Sequence, residues 1–258
     1  MVSIWNAERD ASPQRFDLKH NVRFMSVHSS LLKQFTLLKN LPAEVLEPLA
    51  LAANLRTFAK REVLTEKNSP SQYFSFLLEG RLQATDFTLD GKEVCLYFVD
   101  EGRYFGEIAL LDGGLQPEIM IAYKKSQVVS IPAHLVRPLI VSEPLMTETI
   151  MLGLTEKIRH QSEQRQILSI NNPLQRVCAQ LLLLLAQAKS SNTPKMEGSS
   201  QVLAQAPTHQ ELSMMVNLSR ETVTRVFQVL QSQGALDRAS DQLLINTKLM
   251  SDLANGPD

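Results

Sequence analysis

The stretch THQELSMMVNLSRETVTRVFQVLQSQ, residues 208–233, decides how the chain is read. Thr208 and Glu211 stand three apart ahead of an apolar run. That is the spacing of a capping box, in which hydroxyl and carboxylate satisfy free amides of a first helical turn. Leu212, Met215 and Val216 give that short helix one apolar side. Asn217 tolerates the left-handed backbone of a tight turn, Leu218 plugs inward, and Ser219 caps a second helix. There Val223, Val226, Phe227 and Leu230 recur at i, i+3, i+4 and i+7, so they face a core. Glu221, Thr224, Arg225 and Gln228 repeat that spacing on the opposite face, with Arg220 beside them in the first turn.

Two helices joined by so short a turn form a helix-turn-helix, whose second helix enters the major groove of DNA. The exposed face suits base reading: arginine bonds guanine bidentately, and a carboxylate accepts from the cytosine amino group. Leu236, a polar turn at Arg238–Asp241, and Leu243–Ile245 supply the hairpin of a winged version. A plain helical hairpin with a solvated polar face fits the same periodicity. Charge does not choose, since residues 208–238 hold three arginines, three acidic residues and no lysine.

Upstream, Leu174–Lys189 is a strongly apolar helix, set off by Asn171-Asn-Pro173 before it and the loop SSNTPKMEGSS, residues 190–200, after it. The C-terminal domain therefore spans 172–258. A long helix fits 143–171, with Pro144 at its start and Met146, Ile150, Leu154 and Ile158 as an apolar stripe. A stripe that long packs on its own domain or on a copy of itself; on a copy, these four are the expected dimer seam. Further upstream, Tyr73–Leu78, Arg81–Thr88, Lys92–Val99, Ile119–Ala122 and Val128–Ile131 read as short strands separated by Glu79-Gly80, Asp90-Gly91 and Glu101-Gly102 turns. They predict an all-β roll, sandwich or barrel over 29–142, preceded by short helices at Leu31–Leu38 and Pro42–Leu55. Residues 1–28 are a polar extension.

Composition excludes several classes. With 26 basic and 27 acidic residues and a net charge of -1, the 258-residue chain is not a polycation that coats nucleic acid. Two cysteines, Cys95 and Cys178, cannot supply a four-thiolate iron–sulfur or zinc site, and five histidines show no ligand spacing, so no metal is expected. The N-terminus lacks the apolar core of a signal peptide, and the run at Leu181–Ala186 is too short to span a bilayer. A cytoplasmic protein without membrane contact follows. No nucleophile–base pair or phosphate loop points to an enzyme.

Ser219-Arg-Glu-Thr-Val-Thr-Arg225, preceded by Thr208-x-Gln-Glu211, closely resembles the recognition motif of the Crp/Fnr transcription regulators. The likeness covers about residues 30–250 in family order and implies an α+β fold: a cyclic-nucleotide-binding-like β-roll, a long dimerisation helix and a C-terminal winged helix-turn-helix. It further implies that Arg220, Glu221 and Arg225 read base edges and that Thr208 and Gln210 touch phosphate. His209 takes a position where a basic contact is common; Thr224 and Ser219 complete the DNA-contact set. The operator implied is a palindrome of TGTGA-like half-sites about one helical turn apart, bound by a homodimer. The loop Ser191–Ser200 corresponds to a surface that contacts RNA polymerase.

Phe105-Gly-Glu-Ile-Ala-Leu-Leu111 resembles the family's phosphate-binding cassette, with Gly106 and Glu107 at matching positions. The arginine that neutralises a cyclic phosphate is replaced by Gln116 or Pro117, and Glu118 adds negative charge. The two adenine-contacting hydroxyls of the family align with Gln161 and Ser162, leaving one. Cyclic AMP is therefore not expected. Cyclic di-GMP, another small effector, a sensor role for Cys95, or activity without ligand all stay open. The alternative function is a β-roll sensor whose C-terminal helices bind protein.

Overall fold

The computed structural model of the chain describes residues 25–256 except 71, 88–90, 92, 190–199, 205 and 240–241. The polar extension up to residue 24, nearly all of the loop matched to a polymerase contact, and two turn tips lie outside the described residues.

The first domain opens with strand β1 (Met25–Ser26) and helices α1 (Ser29–Leu32) and α2 (Ala43–Ala52). Then come β2 (Asn54–Phe58), β3 (Val63–Thr65), β4 (Tyr73–Glu79), β5 (Leu82–Phe87), β6 (Glu93–Val99) and β7 (Tyr104–Phe105). Helix α3 (Glu107–Asp112), β8 (Ile119–Ala122) and β9 (Ser126–Pro132) complete the strand region. The strands form two antiparallel sheets, ordered β1-β2-β9-β4-β7 and β3-β8-β5-β6. This is the expected roll.

Period-two alternation explains its two cores. Phe74 and Phe76 of β4 and Val129 and Ile131 of β9 face the helices, where Phe35 stacks on Phe76 with centroids 4.6 Å apart. Leu77 and Val128 instead point between the sheets, toward Leu82, Phe105 and Met120. Both faces of β4 are covered, so its sequence reads as a continuous apolar run. The helix expected over Leu31–Leu38 is shorter than predicted: after Leu32 the chain winds through i→i+3 turns that still bury Phe35 and Leu38.

Helix α4 (Ala133–Ser142), absent from the sequence reading, buries Val136 and Ile140 and leads into α5 (Pro144–Ser169). Two of the four expected seam residues are already covered within their own chain. Met146 and Ile150 are each 2% exposed inside their own chain's core, with Leu154 packed beside them. Ile158 is 67% exposed. α5 carries further apolar residues on its uncovered sides, Leu145, Met151 and Leu152 (61–64% exposed), alongside Val141 of α4. Periodicity marks apolar faces but does not say which one the roll covers.

The second domain contains α6 (Pro173–Lys189), β10 (Ser200–Leu203), α7 (His209–Met215), α8 (Arg220–Ser232), β11 (Leu236–Ala239), β12 (Gln242–Asn246) and α9 (Thr247–Asn255). Val177, Leu181, Leu212, Val223, Phe227, Leu230 and Ile245 form its core. The predicted wing hairpin is β11–β12, widened to three strands because β10 pairs with β12 along Ser200–Leu203. α9, also unanticipated, is capped by Asn246, whose Oδ1 accepts from the Leu249 amide at 3.2 Å, and buries Met250.

Candidate nucleic-acid interface and sensor pocket

Both capping signals operate. Thr208 Oγ1 accepts the Glu211 amide at 3.1 Å, and Glu211 Oε2 accepts the Thr208 amide at 2.7 Å. Asn217 takes φ 49°, the left-handed turn its side chain permits, and Ser219 Oγ accepts the Thr222 amide at 3.1 Å. α8 is thereby aimed with Val223, Val226, Phe227 and Leu230 buried, while Arg220, Glu221, Arg225 and Gln228 are exposed. Thr208 and Gln210 are exposed at the start of α7, on the same domain.

His209 is turned toward α8. Its ring sits against Phe227 (centroids 4.4 Å apart), with Nδ1 3.0 Å from Thr224 Oγ1. Burial first, then the positive charges of Arg238 and Arg220, lowers its pKa below the ordinary 6.5. A neutral ring held by α8 is a poor phosphate clamp.

Motif reading also missed a contact between the domains. Arg81, between β4 and β5, donates through Nη1 to Glu211 Oε1 at 2.8 Å, and its Nε lies 2.9 Å from Asp100 Oδ1. Its guanidinium rests 4.4 Å from the Phe98 ring centre, and Phe98 meets Tyr123 edge-on. Burial, then the nearby Glu211 carboxylate, raises the Tyr123 pKa. From α5, Gln164 Nε2 donates to the Met215 carbonyl at 2.6 Å. A charged residue directly after a glycine turn carries no sequence signature of a partner 130 residues away.

In the roll, Gly106 holds φ 90° and lets the chain turn into α3 close to the Tyr73 carbonyl. Glu107, 1% exposed, is not vacant: Lys157 of α5 donates to its Oε1. The same ammonium lies 4.7 Å from the Tyr97 ring centre, and the Tyr97 hydroxyl donates to Glu118. Burial raises the Glu118 pKa and pushes Tyr104 up to about 12. α5 approaches closely here because Gly153 leaves room for the Tyr104 hydroxyl. Arg103 adds an ion pair to Glu156, Nη1 to Oε2 at 3.1 Å. Gln116 is buried near Gly106, Pro117 is exposed, and Gln161 and Ser162 are exposed on α5 rather than gathered at Glu107. The basic group beside Glu107 thus comes from Lys157, outside the 112–118 stretch where the motif places it. Cys95 is pushed up to about 12 by burial, as suits a packed thiol and not a reactive thiolate.

Comparison with known proteins matches both domains. Residues 55–143 fit the cyclic nucleotide-binding domain, and residues 175–251 fit the Crp-like helix-turn-helix domain. The chain is 23% identical over 184 residues to the cAMP-activated global transcriptional regulator CRP of Haemophilus influenzae, covering 71% of this chain and 80% of that one. It is 27% identical over 165 residues to the cyclic AMP receptor protein of Thermus thermophilus, covering 64% and 71%. FixK2 of Bradyrhizobium japonicum shares the fold with a TM-score of 0.64 at 18% identity, covering 81% of this chain and 100% of that one. The c-di-GMP responsive global regulator CLP of Xanthomonas campestris does so at 0.58 and 17%, covering 79% and 99%. The order of the two domains, the capped helix pair and these relatives agree: the chain belongs to the Crp/Fnr family of transcription regulators.

Proposed function

We propose that the protein works in the cytoplasm as a homodimer that reads a palindrome of TGTGA-like half-sites, presenting one copy of α8 to each of two successive major grooves. The carrying observation is the division of α8: four apolar residues are buried, while Arg220, Glu221 and Arg225 stand exposed and form no ion pair among the described residues. Thr208 and Gln210 supply phosphate contacts, and Ser219 fixes the start of the reading helix. The dimer forms along the exposed residues Leu145, Met151, Leu152 and Ile158, whose apolar surface would otherwise face water. A contact with RNA polymerase, carried by the loop at 191–200, fits the family.

The roll does not take cyclic AMP. Glu107 is already paired with Lys157, and Glu118 stands where a bound phosphate needs positive charge. The long helix is therefore held to the roll by the chain's own ammonium, and DNA binding needs no cyclic nucleotide. Electrophoretic shift of a duplex carrying TGTGA and TCACA half-sites with centres about 10 base pairs apart tests both statements. Binding unchanged by added cyclic AMP is expected. Binding that appears only with cyclic AMP refutes the pocket reading, and no salt-dependent binding to any duplex refutes the DNA reading.

A further inference from the structure

We infer that Thr224 reads a thymine through its methyl group, and that His209 is the positioning residue that holds it for this task. The inference rests on α8 being the recognition helix. Thr224, half-buried against His209, lies within the polar face of α8, one turn after Arg220 and Glu221 and next to Arg225. It is the short side chain among long ones, so a base pair opposite it must come close to the helix.

Its hydroxyl is already engaged. Thr224 Oγ1 donates its single proton to the Arg220 carbonyl at 2.9 Å. His209 Nδ1 sits 3.0 Å from the same oxygen, and with that proton committed the ring must be the donor, which assigns the Nδ1–H tautomer. Packing against Phe227 fixes the ring, and burial keeps it neutral. Thr224 thus has no proton left to give a base edge. What it can press into the groove is its methyl, and the matching feature of a major-groove edge is the thymine C5-methyl. His209 acts through Thr224 and not through phosphate.

Selection from random DNA with the full-length protein supplies the operator, and each thymine in a half-site is then replaced by deoxyuridine, which lacks only the C5-methyl. One thymine per half-site is expected to lose affinity about 4-fold for the parent, the size of one buried methyl. Thr224→Val keeps that loss, whereas Thr224→Ser binds both duplexes at the parent's deoxyuridine level. His209→Ala blurs the discrimination and leaves the slope of log affinity against log salt unchanged. A selected operator indifferent to deoxyuridine at every thymine overturns the methyl reading while leaving α8 as the reader. A His209→Ala slope reduced by about one overturns the positioning role and makes His209 a phosphate contact. Failure to recover any operator overturns the DNA reading itself.

Discussion

Arg81 of the β-roll and Glu211 of α7 are ion-paired at 2.8 Å across the boundary between the domains. Glu211 is 3% exposed and also closes the capping box, so one carboxylate both starts the helix-turn-helix and docks it on the sensor. The Arg81 contact thus reaches the helix end that carries Thr208. Under the proposed function, docking and phosphate contact draw on the same end of α7.

Removing the arginine leaves a buried carboxylate short of a partner. Arg81→Ala is expected to lose about 1–3 kcal/mol of stability in denaturant unfolding. Hydrogen exchange should also quicken across 208–215. In a Glu211→Gln background the same change should cost less, since no charge is stranded. An unchanged midpoint and exchange pattern would mean that the pair contributes nothing in solution.

The covered and uncovered apolar residues of α5 separate folding from assembly. Ile150, sealed in the core, is expected to cost about 2–5 kcal/mol when cut to alanine. Leu152→Glu, at an exposed position, should leave each protomer folded by circular dichroism and convert a sedimenting dimer to a monomer. A Leu152→Glu variant that still sediments as a dimer would move the seam elsewhere.

Lys157 compensates Glu107, so Lys157→Met is expected to destabilise the protein by about 1–3 kcal/mol. Pairing it with Glu107→Gln should recover most of that, because the stranded charge is gone. Titration calorimetry with cyclic AMP should show no heat for parent or variants; saturable heat would show that the nucleotide displaces the lysine.

His209 gives the C-terminal domain an acid-side weakness. Its folded-state pKa lies below 6.5, so the unfolded chain binds the proton more readily. Its contribution is present above about pH 6.5 and is lost as pH falls through the lowered value. Thermal melts between about pH 7.5 and 5.5 should drop less for His209→Gln than for the parent. Equal slopes would show that the ring titrates normally.

Local signals carried well from sequence to structure. Thr208, Glu211, Asn217 and Ser219 act through neighbours within four residues, and each does what its chemistry allows. The roll was legible from its turns, and α8 from its period. What was not legible depends on distant partners. Nothing near Met146 says that the roll covers it, nothing near Lys157 points to Glu107, and Arg81 and Glu211 are joined only by the fold. α9 and β10 escaped because a nine-residue helix and a four-residue edge strand beside a polar loop give weak periodicity.

In the proposed function, exposed arginines of α8 read base edges in a two-fold site. Fluorescence anisotropy of the parent and of Arg225→Ala, against a palindromic operator and every single-base-pair variant of its half-site, tests it most directly. The predicted result is a loss of about 1–3 kcal/mol for Arg225→Ala on the parent operator, with discrimination relaxed at one base pair per half-site and retained at the others. Equal affinity of variant and parent across the whole set would contradict it.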